Sequence, residues 1–221
     1  MNDKPRRARP AKDEAERAAR RAQILAAALD AFSREGYGAT RLEDVARAAG
    51  VAKGTLYLYF PHKQALFEAI VTERISPVLF DVGALVEAFP GDTRALCGLM
   101  ADMLITRIVE GPGQAILRLM IAEGPRFPDL AAFHYREVVS RGVALVRAVM
   151  ERGLARGDIT SDAAVRFPQM VFAPAMTSVV WNALFGHLSP LDVRAFVTTY
   201  LDVLLRGLGD GSAAAGKGGA T

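Results

Sequence analysis

A short segment of this chain groups side chains that suit contact with a nucleic acid. Lys53, Thr55, Tyr57 and Tyr59 supply one ammonium group and three hydroxyls. An ammonium can reach a guanine edge or a phosphate, Thr can touch a thymine methyl, and Tyr hydroxyls suit phosphate oxygens. Gly54 lets the backbone approach its target closely. The segment is therefore predicted to be the reading element of a DNA-binding motif.

The residues before this segment predict the element that positions it. Thr40 and Glu43 fit a capping box, in which the Thr hydroxyl accepts from the third helical N–H and the Glu reaches back to the cap. Gly50 supplies the backbone freedom that ends this helix. The helix has an apolar face made of Val45, Ala46 and Ala49. Two short helices joined by a tight turn form a helix-turn-helix, and the alternative is an ordinary pair of surface helices.

Residues 21–71 resemble the N-terminal domain of the TetR/AcrR family of bacterial transcriptional regulators. The matching residues are Ile24, Ala28, Phe32, Gly36, Tyr37, Thr40, the VARAAGV run, Lys53 to Tyr57, Tyr59, Phe60, Lys63, Leu66 and Phe67. The combination is specific, whereas the remaining two thirds of such proteins vary widely.

The resemblance implies that the third helix enters the major groove of an operator in double-stranded DNA. The implied DNA-binding residues are Arg41, Lys53, Gly54, Thr55, Tyr57, Tyr59 and Lys63. It also implies a homodimer whose two recognition helices lie about one DNA turn apart on a pseudo-palindrome. Arg6, Arg7 and Arg9 could enter a flanking minor groove, although a solvated tail is the favoured interpretation.

The resemblance further implies a site for a small-molecule inducer in the C-terminal domain. Met and aromatic side chains build adaptable apolar cavities, and polar groups orient the ligand. The predicted ligand-binding residues are Phe80, Met103, Arg107, Met120, Phe133, His134, Phe172, Met176 and Trp181. Plain core packing is the alternative for the apolar ones. The stretch 118–133 resembles an E-x-x-R-F-P-x-L signature of efflux-regulating members, where a helix break lies near the pocket, and this favours a lipophilic ligand.

Composition predicts an all-α fold. The chain has 221 residues, 51% of them hydrophobic, which is enough for a sizeable core. Apolar residues recur at helical spacing, and no strand-like alternation stands out. We predict a three-helix N-terminal helix-turn-helix domain and a larger helical ligand-binding and dimerisation domain. The predicted boundaries are a basic flexible arm at 1–20, the DNA-binding domain at 21–66, the regulatory and dimerisation domain at 67–208, and a disordered tail at 209–221.

The last two helices are expected to pair with those of a second copy in a four-helix bundle. The stretch between Arg166 and Asp192 carries no formal charge. It nevertheless lacks the run of about 20 apolar residues that a membrane span needs, so a buried interface helix fits better. Ser189 and Pro190 are predicted to start the last helix as N-cap and first residue. Its apolar stripe is Val193, Phe196, Val197, Tyr200, Leu201 and Leu204.

Charge and cysteine content agree with a DNA partner and a cytoplasmic location. Residues 1–63 carry 13 Lys and Arg against 8 Asp and Glu, whereas residues 64–221 carry 14 against 16. The basic excess therefore lies in the predicted DNA-reading part. Cys97 is the only cysteine, and it is expected to be a buried, inert thiol in a reducing compartment. The N-terminus lacks the apolar core of a signal peptide.

Catalytic patterns are missing from the sequence. His62, His134 and His187 are far apart and pair with no cysteine at metal-ligand spacing, and no nucleophile elbow occurs. We therefore expect no enzyme activity, no metal and no cofactor. The predicted function is a ligand-responsive transcriptional repressor. The alternative is a helical small-molecule-binding protein or enzyme without DNA binding, and an activator is not distinguished from a repressor.

Overall fold

The computed structural model of the chain describes residues 9–111 and 113–209, and these form twelve α-helices and no strand. Helices α1 to α4 are Arg9–Ala39, Leu42–Ala48, Lys53–Tyr59 and Lys63–Arg74. Helices α5 to α12 are Ser76–Ala88, Thr93–Leu104, Gly113–Glu123, Pro128–His134, Ser140–Arg156, Ala163–Arg166, Gln169–Phe185 and Val193–Gly207. One π-helical turn follows α6 at Ile105–Val109 and another follows α8 at Tyr135–Val139. The predicted all-α class is confirmed.

Helix α1 buries the predicted stripe of Ile24, Ala28 and Phe32 against the next three helices. Its regular part ends where predicted, because Gly36 has a φ of 80° that a helix does not allow. The helix begins earlier than predicted, so the described part of the expected flexible arm, residues 9–20, is helical. Its Ala, Glu, Arg and Lys residues are strong helix formers. Residues 1–8 and 210–221, which include Arg6, Arg7 and almost all of the predicted tail, lie outside the described residues.

The turn between α2 and α3 forms as predicted at Gly50, which has a φ of 62°. The Gly50 N–H donates to the carbonyl of Arg47 at 3.1 Å, and the Val51 N–H donates to that of Ala46 at 3.0 Å. Both bonds satisfy carbonyls at the end of α2, which fixes the angle at which the chain leaves the helix.

The predicted capping box does not form. Helix α2 begins at Leu42 with Arg41 as its cap, and no side chain caps it. The Thr40 hydroxyl instead donates to the carbonyl of Gly36 at 2.7 Å, and Glu43 pairs with Lys53. The Gly36 carbonyl at the broken end of α1 lies within reach of the Thr40 hydroxyl, and this bond competes with capping.

The core of the DNA-reading part continues into the rest of the molecule. A single cluster of buried residues joins α1–α4 to α5, α7 and α8. The residues that extend it beyond α4 are Leu79, Ile116, Leu119 and Leu130. The predicted boundary after residue 66 falls inside α4. Helix α4 is therefore the physical connection between the two predicted domains.

A second core lies between α5, α6 and α9 and includes Val82, Leu96, Met100, Val146 and Met150. Two leucines complete this core, namely Leu205 of α12 and Leu208, which directly follows that helix. This helix starts later than predicted, because the side chain of Asp192, not Ser189, accepts the capping bond from the Ala195 N–H at 2.9 Å.

The residues of the predicted stripe of α12 are all buried or half-buried in the subunit. Val197 and Leu201 are only 4% and 7% exposed, and they pack with Ile105 inside the same subunit. Val203, which was not in the stripe, is 64% exposed.

None of the helices within the described ranges is long and apolar enough to cross a membrane.

Candidate DNA-reading surface and ligand cavity

Helix α3 has one face in the core and one face open to solvent. Leu56 is fully buried and Phe60 is 2% exposed at the end of the helix, so both hold it against α1 and α2. Lys53, Gly54 and Tyr57 are exposed, as the helical period requires of residues on the opposite side. Thr55 and Tyr59 are half-buried at the edge of this face. Five of the seven predicted DNA-binding residues are thus gathered on one short helix.

Lys53 is held by an acidic neighbour in the free protein. Its Nζ lies 2.8 Å from Oε1 of Glu43 on α2 and 5.9 Å from the centre of the Tyr57 ring. The hydrogen bond with Glu43 raises the pKa of Lys53, and the same bond lowers the pKa of Glu43. A phosphate or base must therefore compete with Glu43 for this ammonium. Arg41, the cap of α2, is exposed beside it.

Lys63 takes a structural position that the sequence did not indicate. Its Nζ donates to the carbonyls of Tyr37 at 2.5 Å, Gly38 at 2.9 Å and Thr40 at 3.0 Å. It also lies 4.7 Å from the centre of the Tyr37 ring. Burial lowers the pKa of Lys63, and the charge of Glu123 opposes that shift. Its ammonium fixes the connection between α1 and α2, and its contact with DNA stays a prediction.

Leu58 is an exposed residue of α3 that sequence reasoning missed. Its side chain is 87% exposed, the highest value among the large apolar residues described as exposed. The signal was available, because Leu58 is one turn after Gly54 and nearly opposite Leu56 on a helical projection.

The apolar cavity of the C-terminal domain is small. It measures about 50 Å³ and lies between α6, α9, α11 and α12. Its lining includes Cys97, Met100, Met150, Phe172 and Leu201. Pockets that enclose drug-sized ligands usually measure about 300 Å³ or more, so this one is closed in the described conformation. Burial raises the pKa of the Cys97 thiol to about 12, which confirms a buried thiol that stays protonated at neutral pH.

The structure distributes the predicted ligand-binding residues over several places. Only Phe172 lines the apolar cavity. Met103 packs at the edge of the second core, whereas Met120 and Phe133 pack against the first. Three others are exposed, namely Phe80, Met176 and Trp181. Arg107 pairs with Asp81 on α5.

His134 lies in an apolar environment near the first core. Its Nδ1 is buried and has no hydrogen-bond partner. Burial lowers the pKa of His134, because the charged imidazolium loses its hydration. The ring is therefore neutral at pH 7. Groups of three or more residues that could hold a metal ion do not occur in the described part of the chain.

The break between α7 and α8 contacts the DNA-reading part rather than the cavity. This 123–128 turn contains the Glu-x-x-Arg-Phe-Pro signature, and the predicted helix break there is confirmed. The Phe127 ring meets the Tyr37 ring edge-on, with centres 4.9 Å apart. A Cβ at Gly38 would lie 3.2 Å from Phe127, and one at Gly36 would lie 2.6 Å from Glu123 Oε1. Both glycines therefore allow the turn to approach the end of α1 closely.

Comparison with known proteins gives the same two-part division. Residues 24–70 match the family described as bacterial regulatory proteins, tetR family, and residues 88–204 match the tetracyclin repressor-like C-terminal domain. The HTH-type transcriptional regulator RutR of Escherichia coli K12 is 43% identical over 135 residues, which cover 61% of this chain and 64% of RutR. The chain thus spans less than two thirds of the length of the first curated relatives it matches.

Solved structures share the fold. FadR from Bacillus halodurans, a fatty acid degradation regulator, aligns with a TM-score of 0.73 at 21% identity, covering 86% of this chain and 97% of FadR. FadR from Bacillus subtilis in complex with stearoyl-CoA aligns with a TM-score of 0.68 at 19% identity, covering 84% and 97%. At these identities the likeness concerns the architecture alone.

Proposed function

Because the chain belongs to the tetR family of bacterial regulatory proteins, we propose that it is a ligand-responsive repressor that binds a pseudo-palindromic operator as a homodimer. The open face of α3 is the observation that carries the proposal. It presents Lys53, Gly54 and Tyr57 outward while Leu56 and Phe60 anchor it. A rigid helix with a basic, hydroxyl-bearing face suits the major groove.

Exposed apolar residues on α11 support a homodimer. Along this uncharged helix, Met176, Val180, Trp181, Leu184 and Phe185 are between 38% and 57% exposed, and we call them the α11 face. Helix α12 packs beside α11 and adds Val203. An apolar surface of this kind is unusual on a monomer, and a two-fold axis would cover it with the same surface of a second copy.

The closed cavity supports a lipophilic inducer that must open the C-terminal domain. Its lining is almost wholly apolar, and it borders α6, α11 and α12. The FadR structure with stearoyl-CoA is a family precedent for a ligand with a long apolar chain. An inducer releases DNA only if it binds the DNA-incompetent conformation more tightly than the competent one.

The 123–128 turn supplies the last part of a route from the cavity to the DNA-reading surface, and the first part is the packing of α11, which borders the cavity, on α7. Helix α7 packs along α1, and the turn that follows it seats Phe127 on Tyr37. On the next helix, Phe133 meets Phe67 of α4 edge-on, with centres 6.4 Å apart. A displacement of α7 or α8 therefore moves α1 and α4, which carry the helix-turn-helix.

The test is selection of duplex DNA from a random library by the full-length protein, followed by anisotropy titrations at several salt concentrations. Lys53→Ala and Tyr57→Phe are expected to weaken binding to the selected sequence, by about 1–3 kcal/mol for a base contact. Arg141→Ala is a matched control for charge, because this exposed residue lies on α9, outside the helix-turn-helix, and pairs with Glu137 four residues before it.

The ligand step is tested on the same complex. Lipophilic compounds that raise the melting temperature of the free protein are expected to release the selected DNA, because both effects follow from preference for one conformation. Failure of the selection to enrich any sequence would favour the alternative, a helical small-molecule-binding protein. Enrichment without release by any compound or cell extract would leave a constitutive regulator.

A further inference from the structure

The most exposed residue on the DNA-reading helix is not polar. Leu58 is 87% exposed, more than its neighbour Tyr57 at 38%. Burying a leucine side chain stabilises a folded protein, so the exposure of Leu58 gives up stabilisation that the fold itself does not recover. The residue is therefore a candidate for burial against a partner.

The space in front of Leu58 is open. Gly54 lies one helical turn before it, so no side chain stands between Leu58 and whatever approaches that turn. A Cβ at Gly54 would meet no atom within 4 Å. The other residues with methyl groups on this helix are less accessible, since Thr55 is half-buried and Leu56 is fully buried. Leu58 is thus the only exposed apolar side chain with methyl groups on α3.

The surroundings of Leu58 favour DNA over an apolar protein surface. Lys53 and Tyr57 share the exposed side of the helix with it, and Arg41 and Arg47 on α2 are exposed nearby in sequence. Lys53 and Arg47 pair with Glu43 and Asp44 in the free protein, and a single exposed leucine beside charged and polar side chains is poorly suited to an apolar groove. It is well suited to the major groove, whose phosphates match the cations and whose base edges carry one prominent apolar group, the thymine methyl.

We infer that Leu58 contacts the 5-methyl group of a thymine in each half-site and thereby sets part of the sequence preference. This inference rests on the proposed function, because it requires α3 to lie in the major groove. Leucine has no donor or acceptor, so it contributes nothing to phosphate binding or to polar base edges. Its contribution is therefore selective for the methyl group.

Deoxyuridine provides the probe, because it differs from thymidine only by the absence of the 5-methyl group. Each thymine of the library-selected sequence is replaced symmetrically in both half-sites, and dissociation constants are measured by anisotropy at one salt concentration. The proteins are wild type, Leu58→Ala and the matched control Leu99→Ala, whose leucine is 44% exposed on α6. Circular dichroism checks that all three are folded.

One symmetric replacement is expected to raise the dissociation constant of the wild type about fourfold per methyl group, or roughly 15-fold for the two half-sites. This estimate uses the usual hydrophobic free energy of burying one carbon atom. Leu58→Ala should respond far less to that same replacement, and Leu99→Ala should respond like the wild type. Equal responses of wild type and Leu58→Ala at every thymine would overturn the inference while the proposed function stands. A selection that enriches no DNA would instead overturn the proposed function, and the inference with it.

Discussion

Lys63 illustrates how one residue in this structure serves the fold at a position expected to serve DNA. Its ammonium donates to three carbonyls at the end of α1 and lies over the Tyr37 ring. The break at Gly36 frees carbonyls there, and a cation at the end of a helix satisfies them. Lys63 thus completes the helix end that Thr40 also contacts.

We expect Lys63→Met to destabilise the free protein by about 1–2 kcal/mol, because it removes hydrogen bonds from a charged donor to three carbonyls, two of them partly buried. Urea unfolding at fixed protein concentration measures this free energy. Lys53→Met is the control, since an exposed ion pair contributes little and its loss should change stability by less than about 0.5 kcal/mol. If Lys63→Met kept full stability and lost only DNA affinity, the residue would be a phosphate contact and not a structural one.

His134 makes stability depend on pH. Burial lowers its pKa below the ordinary value of 6.5, so the unfolded chain takes up a proton at a pH where the native ring does not. The unfolded state then binds more protons, and stability falls as the pH drops below about 6.5 towards the native pKa. His134→Phe should therefore lose less stability than the wild type between about pH 7 and about pH 5.5.

Urea unfolding at each pH gives the free energy of unfolding of the wild type and of His134→Phe. The slope of this free energy against pH is then compared between the two proteins. Leu99→Ala, which removes no titratable group, is the control and should keep the wild-type slope. Identical slopes for His134→Phe and wild type would show that His134 is protonated equally in both states.

At the scale of elements, local signals and long-range contacts had different predictive value. Gly36, Gly50 and Gly157 all adopt a positive φ where helices were predicted to end, because this property belongs to the residue itself. The orientation of α12 depended on its neighbours. Its period predicted an apolar stripe that includes Val197 and excludes Val203, yet only the packing of α6 and α11 decides that Val197 and Leu201 are buried inside the subunit and not against a second copy.

The candidate sites also differ in how far the sequence could predict them. The α3 face was predictable because a helix-turn-helix is a local motif with its own turn. The cavity lining was not, since it draws on α6, α9, α11 and α12, and eight of the nine predicted ligand residues lie elsewhere. The capping box failed for a related reason, because a carbonyl of another helix competed for the Thr40 hydroxyl.

The revised orientation of α12 changes which substitutions test the dimer. Leu184→Glu on α11 and Val203→Glu on α12 place a charge on exposed apolar positions, so they should dissociate the dimer and leave the subunit folded. Val197→Glu and Leu201→Glu should instead unfold the subunit, because both side chains are buried within it.

Sedimentation velocity and circular dichroism separate these outcomes. Leu99→Glu on α6, outside the proposed interface, should remain dimeric. A wild-type protein that sediments as a monomer at micromolar concentration would contradict the dimer itself.

At the scale of the whole molecule, the shared core makes the two parts move together. Helix α4 is packed in both parts, and the 123–128 turn rests on Tyr37 through Phe127. Signals between cavity and DNA therefore need no flexible linker. In the proposed mechanism they pass through packed side chains.

Phe127→Ala should reduce the effect of an inducer on DNA affinity while each ligand still binds alone. The coupling energy between two such sites is typically about 1–3 kcal/mol, and removing the ring contact should lower it. Anisotropy with and without the compound found by thermal shift measures this energy. Phe80→Ala, at an aromatic residue 78% exposed on α5, is the control and should keep full coupling. Unchanged coupling in Phe127→Ala would exclude this contact as the route.

The size of the apolar cavity has a consequence for how fast the protein responds. A space of about 50 Å³ between α6, α9, α11 and α12 admits no large molecule as it stands. If this cavity is the inducer site, as proposed, entry must await a spontaneous separation of these helices, a collective motion on the microsecond-to-millisecond scale. The observed association rate should then reach a plateau as inducer concentration rises, with the opening rate as its ceiling. The protein would ignore brief pulses of inducer that are shorter than its own opening time.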